Sequence, residues 1–160
     1  MLLLILLIMS GCNKVKVTTG DEKTAENYVK AQGYKITAYR GEIQKYILEK
    51  SMLFGPASMQ YQQIWSVQNY EPDQYFGKEI TTFGFTVENH PLQQKYNNGK
   101  NGVNVYIMMI DGKVIGGYSF PNADVAGAGA YSSLDGKTLE EVTGLSFQKW
   151  SEEWKKKYGD

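Results

Sequence analysis

Val103-Asn-Val-Tyr-Ile-Met-Met-Ile110, Asp111-Gly112 and Lys113-Val-Ile-Gly-Gly-Tyr-Ser-Phe120 decide the fold of this chain. Two apolar, β-rich runs flank Asp-Gly, the dipeptide suited to a type I′ turn, because that turn needs positive φ at both central positions. The stretch therefore reads as a β-hairpin, and an antiparallel sheet becomes the organising element. Upstream, Phe83, Phe85 and Val87 alternate with Thr82, Gly84, Thr86 and Glu88 within residues 80–89, the pattern of a half-buried antiparallel strand. Between this strand and the hairpin lies a long polar connection at 90–102, carrying Pro91, Asn97-Asn98-Gly99 and Asn101-Gly102.

Further toward the N-terminus the pattern is less regular. Residues 34–39 alternate, Arg40-Gly41 interrupts, and the pattern resumes over 42–50, which gives either a hairpin or one long bulged strand. Ile43, Tyr46, Ile47 and Lys50 also fit helical spacing. Phe54-Gly55-Pro56-Ala57 is a break, and residues 62–68 form the next expected strand.

Helices are expected at both ends of this strand series. Ala25, Tyr28 and Val29 repeat at helical spacing, Asp21, Glu22 and Glu26 cluster early, and Gly33 supplies a stop. Near the C-terminus, Thr138-Leu-Glu-Glu141 has capping-box spacing and opens a short helix ending at Gly144. A last helix starts at Ser146 and puts Phe147, Trp150, Trp154 and Tyr158 on one stripe that has to dock, with Lys155, Lys156 and Lys157 at its electronegative end. The expected fold class is α+β: an N-terminal helix, an antiparallel meander of about four to six strands, and C-terminal helices packed on it, with the helices together covering one face of the sheet.

The chain has 160 residues and balances 17 Lys and Arg against 17 Asp and Glu. Zero net charge argues against electrostatically driven nucleic-acid binding. The length fits one domain with a core able to form unaided.

Residues 1–9 are wholly apolar, and the only cysteine, Cys12, follows Met9, Ser10 and Gly11. As a helix the apolar run covers about 14 Å, roughly half of a ~30 Å hydrocarbon core, so it reads as the h-region of a signal peptide rather than a span. Met9-Ser-Gly-Cys12 resembles the lipobox of bacterial lipoproteins, in which a dedicated peptidase cleaves before a diacylglyceryl-modified Cys. Met9 stands where Leu is commonest, and no Lys or Arg precedes the apolar run. The reading assigns 1–11 to a signal peptide, 12–20 to a lipidated Cys and tether, and 21–160 to a single α+β domain. A tether of about nine residues reaches at most about 30 Å, so the body stays near the membrane. With Cys12 acylated no thiol remains for a disulfide, and stable anchoring rests on more than one acyl chain.

Gly112-Lys-Val-Ile-Gly-Gly117 and Ser133-Leu-Asp-Gly-Lys-Thr-Leu-Glu-Glu141, together with the lipobox, resemble small uncharacterised lipoproteins of Bacillus-type Gram-positive bacteria. The resemblance covers most of the chain after Cys12. It implies an extracytoplasmic lipid-anchored body and brings no activity with it, the family being a domain of unknown function.

Residues able to carry chemistry are sparse. One His and one Cys cannot supply a zinc set, and Asn97 to Asn101 lacks the acids of a calcium loop, so neither metal nor cofactor is expected. His90, between Asn89 and Pro91, reads as a half-exposed loop residue bonded locally. Ser146-Phe-Gln-Lys149 matches the Ser-x-x-Lys spacing of penicillin-binding proteins, but no Ser-Asp-Asn or Lys-Thr-Gly accompanies it, and Ser146 reads as a helix N-cap. Gly127 and Gly129 mimic half a phosphate loop without its Lys and read as loop glycines.

The 12 tyrosines and three tryptophans are the suggestive feature of the composition. Aromatic bodies with hydrogen-bonding tips suit recognition of sugars, peptides or proteins. Core packing accounts for Tyr28, Trp150 and Trp154. Trp65, Tyr70, Tyr75 and Phe76, close to Pro72 and Gly77, are the set expected to be exposed as a binding surface. The functional expectation is a non-enzymatic, lipid-anchored module that meets an envelope protein or small ligand, held to the membrane through Cys12. The alternative is a small cell-wall-directed hydrolase or transferase using carboxylates such as Glu79 or Glu88.

Overall fold

The computed structural model describes residues 20–95, 101–122 and 130–159. Helix α1 (Asp21–Ala31) leads into β1 (Lys35–Ile47), followed by a 3-10 turn (Lys50–Met52), α2 (Met59–Trp65) and a second 3-10 turn (Pro72–Tyr75). Then come β2 (Glu79–Glu88), α3 (Pro91–Lys95), β3 (Val103–Ile110), β4 (Lys113–Pro121), α4 (Leu139–Thr143) and α5 (Phe147–Tyr158). Among the described residues the four strands form one antiparallel sheet in the order β1-β2-β3-β4. No helix among them is long and apolar enough to cross a membrane. Residues 1–19, and with them the lipobox, lie outside the described residues, as does most of the Gly/Ala stretch at 123–130.

The Asp111-Gly112 hairpin forms as its chemistry dictates, with φ of 48° at Asp111 and 75° at Gly112. Residues 35–47 make one long bulged strand rather than a hairpin. Its register on β2 slips between Ile36 and Ala38, Tyr39 and Gly41, and Glu42 and Gln44. Bulging at Ile43 carries its side chain over Gly84 of β2, where a Cβ would lie 2.7 Å from Ile43 Cδ1 and 3.0 Å from Tyr106 Cε1. A side chain at 84 would therefore require Ile43 to move aside.

Three expectations need correction. Residues 62–68 are not a strand: α2 covers Met59–Trp65, and Ile64 and Trp65 turn into the core. Met and Gln are good helix formers, and the run 59–63 sets a helical course before the apolar pair arrives. The helices also cover both faces of the sheet, not one. On the first face Ala25 and Val29 of α1 and Leu92 of α3 pack on Phe83, Phe85, Val105, Ile107 and Met109. On the second, Ile64, Trp65, Trp150, Trp154 and Tyr158 pack on Ile80, Met108 and Tyr118. Strand β2 is therefore buried on both sides, Thr82 and Thr86 included, and is not the half-buried strand its alternation predicts. Thr86 is satisfied there: its hydroxyl donates to Asn104 Oδ1 at 3.1 Å and accepts from Arg40 Nε at 2.9 Å.

At the C-terminus the predicted caps hold. Thr138 and Glu141 form a reciprocal capping box, α4 stops at Gly144 in the left-handed region, and the Ser146 side chain accepts from the Lys149 N–H. The α5 stripe docks through Trp150, Trp154 and Tyr158, whereas Phe147 stays 65% exposed.

Candidate functional site

The loop after α2 divides two hollows. One, of about 500 Å³, lies beside the free edge of β4, between α1, the turn at 133–137 and α4; the other, of about 270 Å³, lies between this loop and α5. Gln68, Asn69 and Tyr70 border both. Tyr70 is 58% exposed and stands as an aromatic lip between them.

The larger hollow is built by backbone geometry. Ser119 of β4 exchanges both main-chain bonds with Ser132, at 2.8 and 2.9 Å, and its hydroxyl donates to the Ser133 carbonyl at 2.6 Å. The chain then folds back: Gly136 N–H donates to Ser133 O at 2.9 Å, Ser133 N–H to Lys137 O at 2.8 Å, and Lys137 N–H to Ser133 Oγ at 2.9 Å. Asp135 pairs with Lys137 at 2.7 Å. Burial acts to raise the Asp135 carboxyl, but the Lys137 and Ser133 hydrogen bonds outweigh it and hold the group below its ordinary range. Glu141, which also lines the hollow, is held low by the Thr138 N–H it accepts at 2.7 Å. Val114 to Gly117 line this hollow from the strand, and Ser133, Leu134, Asp135, Lys137 and Glu141 line it from the turn and helix.

The smaller hollow has an indole floor of Trp65, Trp150 and Trp154 and a charged rim of Glu71, Glu153 and Lys157. Lys157 bridges Glu71 at 2.9 Å and Asp73 at 3.3 Å. A third depression, of about 450 Å³ between α2 and α4–α5, is apolar at Met59, Leu139, Phe147 and Trp150.

The expected aromatic surface is therefore only partly assembled. Tyr70 is exposed, but Trp65 is 3% exposed and stacks on Tyr75 at 6.0 Å, a core residue where an exposed one was expected. Tyr75 and Phe76 are half-buried and pack on the same core, Phe76 edge-on to Tyr158 at 6.4 Å. Met9, Ser10, Gly11 and Cys12 lie outside the described residues.

His90 also departs from expectation. It is 2% exposed, not half-exposed, with Nδ1 accepting the Leu92 N–H at 3.1 Å and Nε2 facing the Leu134 carbonyl at 3.0 Å. Both nitrogens are spent on backbone, and burial moves the imidazole below its ordinary pKa. Glu79 and Glu88 close opposite ends of β2, paired with Lys45 at 2.9 Å and Lys35 at 2.8 Å. Nine strand steps hold them about 30 Å apart, too far to work on one bond. Among the described residues no group of three or more His, Cys, Asp or Glu could hold a metal ion.

Gln68, Gly116 and Gly117 are the site residues that sequence reasoning passed over. A glycine pair within a β-rich run signals a bulge or a close backbone approach, and that signal was present. The β3–β4 register does slip beside Gly116.

Fold and hollows together define an α+β protein with an antiparallel meander between two helical layers and a polar cleft at one sheet edge. No protein-family model, curated protein or solved structure matches the chain.

Proposed function

We propose that this protein is a lipid-anchored binding module of the bacterial envelope, held on the extracytoplasmic face by Cys12 and engaging its partner at the β4-edge hollow and the Tyr70 lip. The observation that carries the binding part is Tyr70: a large aromatic, 58% exposed, standing between two concave surfaces. Isolated exposed aromatics beside a cleft with polar groups are what recognition sites use. The address is supported by the sequence alone, through the apolar run at 1–9 and the Ser-Gly-Cys that ends it. The body has no excess of Lys and Arg to draw it to anionic lipids, so at a membrane it would depend on the covalent anchor.

Fractionation of cells expressing Cys12→Ala tests the address: the variant moves to the soluble fraction while the wild type sediments with membranes. Unchanged sedimentation overturns it. A photo-crosslinker at position 70 tests the binding part, against a control in which the signal and tether carry an unrelated domain. A specific adduct formed only by the native body supports it, and its absence overturns it.

A further inference from the structure

Strand order leaves β4 at an edge of the sheet. Residues two apart on a strand turn their N–H and C=O toward the same side. At Ser119 that outward pair is taken by the backbone of Ser132. If the chain went on as an antiparallel strand, Leu134 would come to lie opposite Gly117. It does not, because the turn at 133–137 intervenes, and the Leu134 carbonyl faces Tyr34 and His90 instead, each 3.0 Å away.

Gln68 fills the vacated place. Its Nε2 donates to the Gly117 carbonyl at 2.9 Å, and its Oε1 accepts the Gly117 N–H at 3.0 Å. This is the two-bond exchange of paired strand residues, made by a side-chain amide in place of a peptide group. Nε2 also donates to Ile64 O at 2.7 Å, which ties the side chain to the end of α2. Gly116 permits the approach, since a Cβ there would lie 2.4 Å from Gln68 Oε1. The cleft of about 500 Å³ continues from this point along Val114 to Gly117.

We infer that the cleft receives a short extended peptide whose backbone amide displaces the Gln68 side chain from Gly117. The inference rests on the binding-module reading and names its ligand class. An edge carrying a donor and an acceptor at peptide spacing selects an extended main chain, the logic of β-strand addition. Val114 to Gly117, bulged beside Gly116, span at most about 13 Å, so a ligand of no more than about four residues fits along them. Tyr70 at the lip meets a ligand side chain, and Gln68 keeps the edge closed when no peptide is bound. Gly117 gives up two hydrogen bonds to Gln68 and gains two from the peptide, so removing the resident amide favours the ligand.

The full-length protein in mild detergent is panned against a displayed random heptapeptide library. Selected peptides, synthesised with both ends capped, are titrated into wild type, Gln68→Ala and Tyr70→Ala while the Gly117 amide is followed by NMR. The expected result is a ligand-dependent shift of the Gly117 amide, binding about tenfold tighter to Gln68→Ala, and about tenfold weaker to Tyr70→Ala. If circular dichroism shows Gln68→Ala to be unfolded, Gln68→Glu replaces it, keeping the acceptor for Gly117 N–H while losing both donor bonds; it too should bind more tightly. Peptides that leave the Gly117 amide unmoved, or that bind the Gln68 variant and wild type equally, overturn the inference. A position-70 adduct with a partner that binds without shifting Gly117 overturns the peptide inference while leaving the binding-module reading intact.

Discussion

Trp154 Nε1 donates to the Leu53 carbonyl at 2.7 Å, a buried bond between residues 101 positions apart. It fastens α5 to the segment just after the first 3-10 turn. The indole also stacks on Trp150 at 4.8 Å and meets Tyr158 at 4.4 Å. Trp154→Phe keeps most of the ring contact and leaves the Leu53 carbonyl without its donor, at a cost of about 1–3 kcal/mol. Trp154→Ala also removes the packing and costs about 3–5 kcal/mol. Urea unfolding of the two variants should show this order.

Stability should fall with acidification below pH 6.5 because of His90. Burial first of all lowers its pKa in the folded state, against the opposing effects of the Leu134 carbonyl and the Asp135 charge. Protonation would put a second proton on Nδ1, facing the Leu92 N–H that now donates to it. A base with a depressed folded pKa gives the unfolded chain the greater proton uptake, so stability is whole above the unfolded value of about 6.5 and declines below it, by at most about 1.4 kcal/mol per pH unit. His90 is the only histidine in the sequence. Chemical denaturation at pH 8.0, 6.5 and 5.5 should therefore show a slope that His90→Gln flattens.

Tyr158 ties α5 to the second 3-10 turn, donating to Asp73 Oδ1 at 2.6 Å and to Glu71 Oε2 at 3.0 Å. Burial acts to raise the Asp73 carboxyl, but the Tyr158 hydroxyl, its own backbone and Lys157 together hold it below the ordinary value of 3.8. A depressed folded pKa means a contribution present above 3.8 and lost as pH falls through the folded value. Tyr158→Phe should move Asp73 upward in a carboxyl-carbon NMR titration. Both carboxylates are about half exposed, so the accompanying loss at neutral pH is about 1 kcal/mol or less.

Thr138→Ala removes one half of the capping box of α4, in which Thr138 Oγ1 accepts the Glu141 N–H at 3.3 Å. Such caps contribute about 0.5–2 kcal/mol. Thermal unfolding should register that loss, and Thr138→Ser should restore most of it.

Local chemistry made the hairpin, the capping box and the Ser146 cap legible, because each is decided within four residues by φ preference or side-chain reach. What escaped was set by contacts distant in sequence. The alternation of β2 reads as one wet face, yet Thr82 and Thr86 are dry because α2 and α5 roof that side and because Arg40 and Asn104 satisfy Thr86. Ile64-Trp65 suits either a strand or a helix, and only the sheet beneath it decides which residues turn inward. The burial of His90 has the same origin: Leu134, the partner that pins it, lies 44 residues away. Gln68, which completes the β4-edge cleft, carries no local pattern at all, since its role exists only once Gly117 is brought beside it.

The two margins of the sheet are finished in opposite ways. Along β1 the three slips in register, with Lys35, Arg40, Glu42 and Lys45 spread over the strand, leave no straight run on which a further strand could propagate. Along β4 the backbone of Ser132 covers Ser119, and a removable side chain, Gln68, covers Gly117. A filament grows only if every added copy offers a fresh edge of the opposite kind. Head-to-tail growth of whole copies would need β1 to receive β4, and the slips and charges of β1 oppose that pairing.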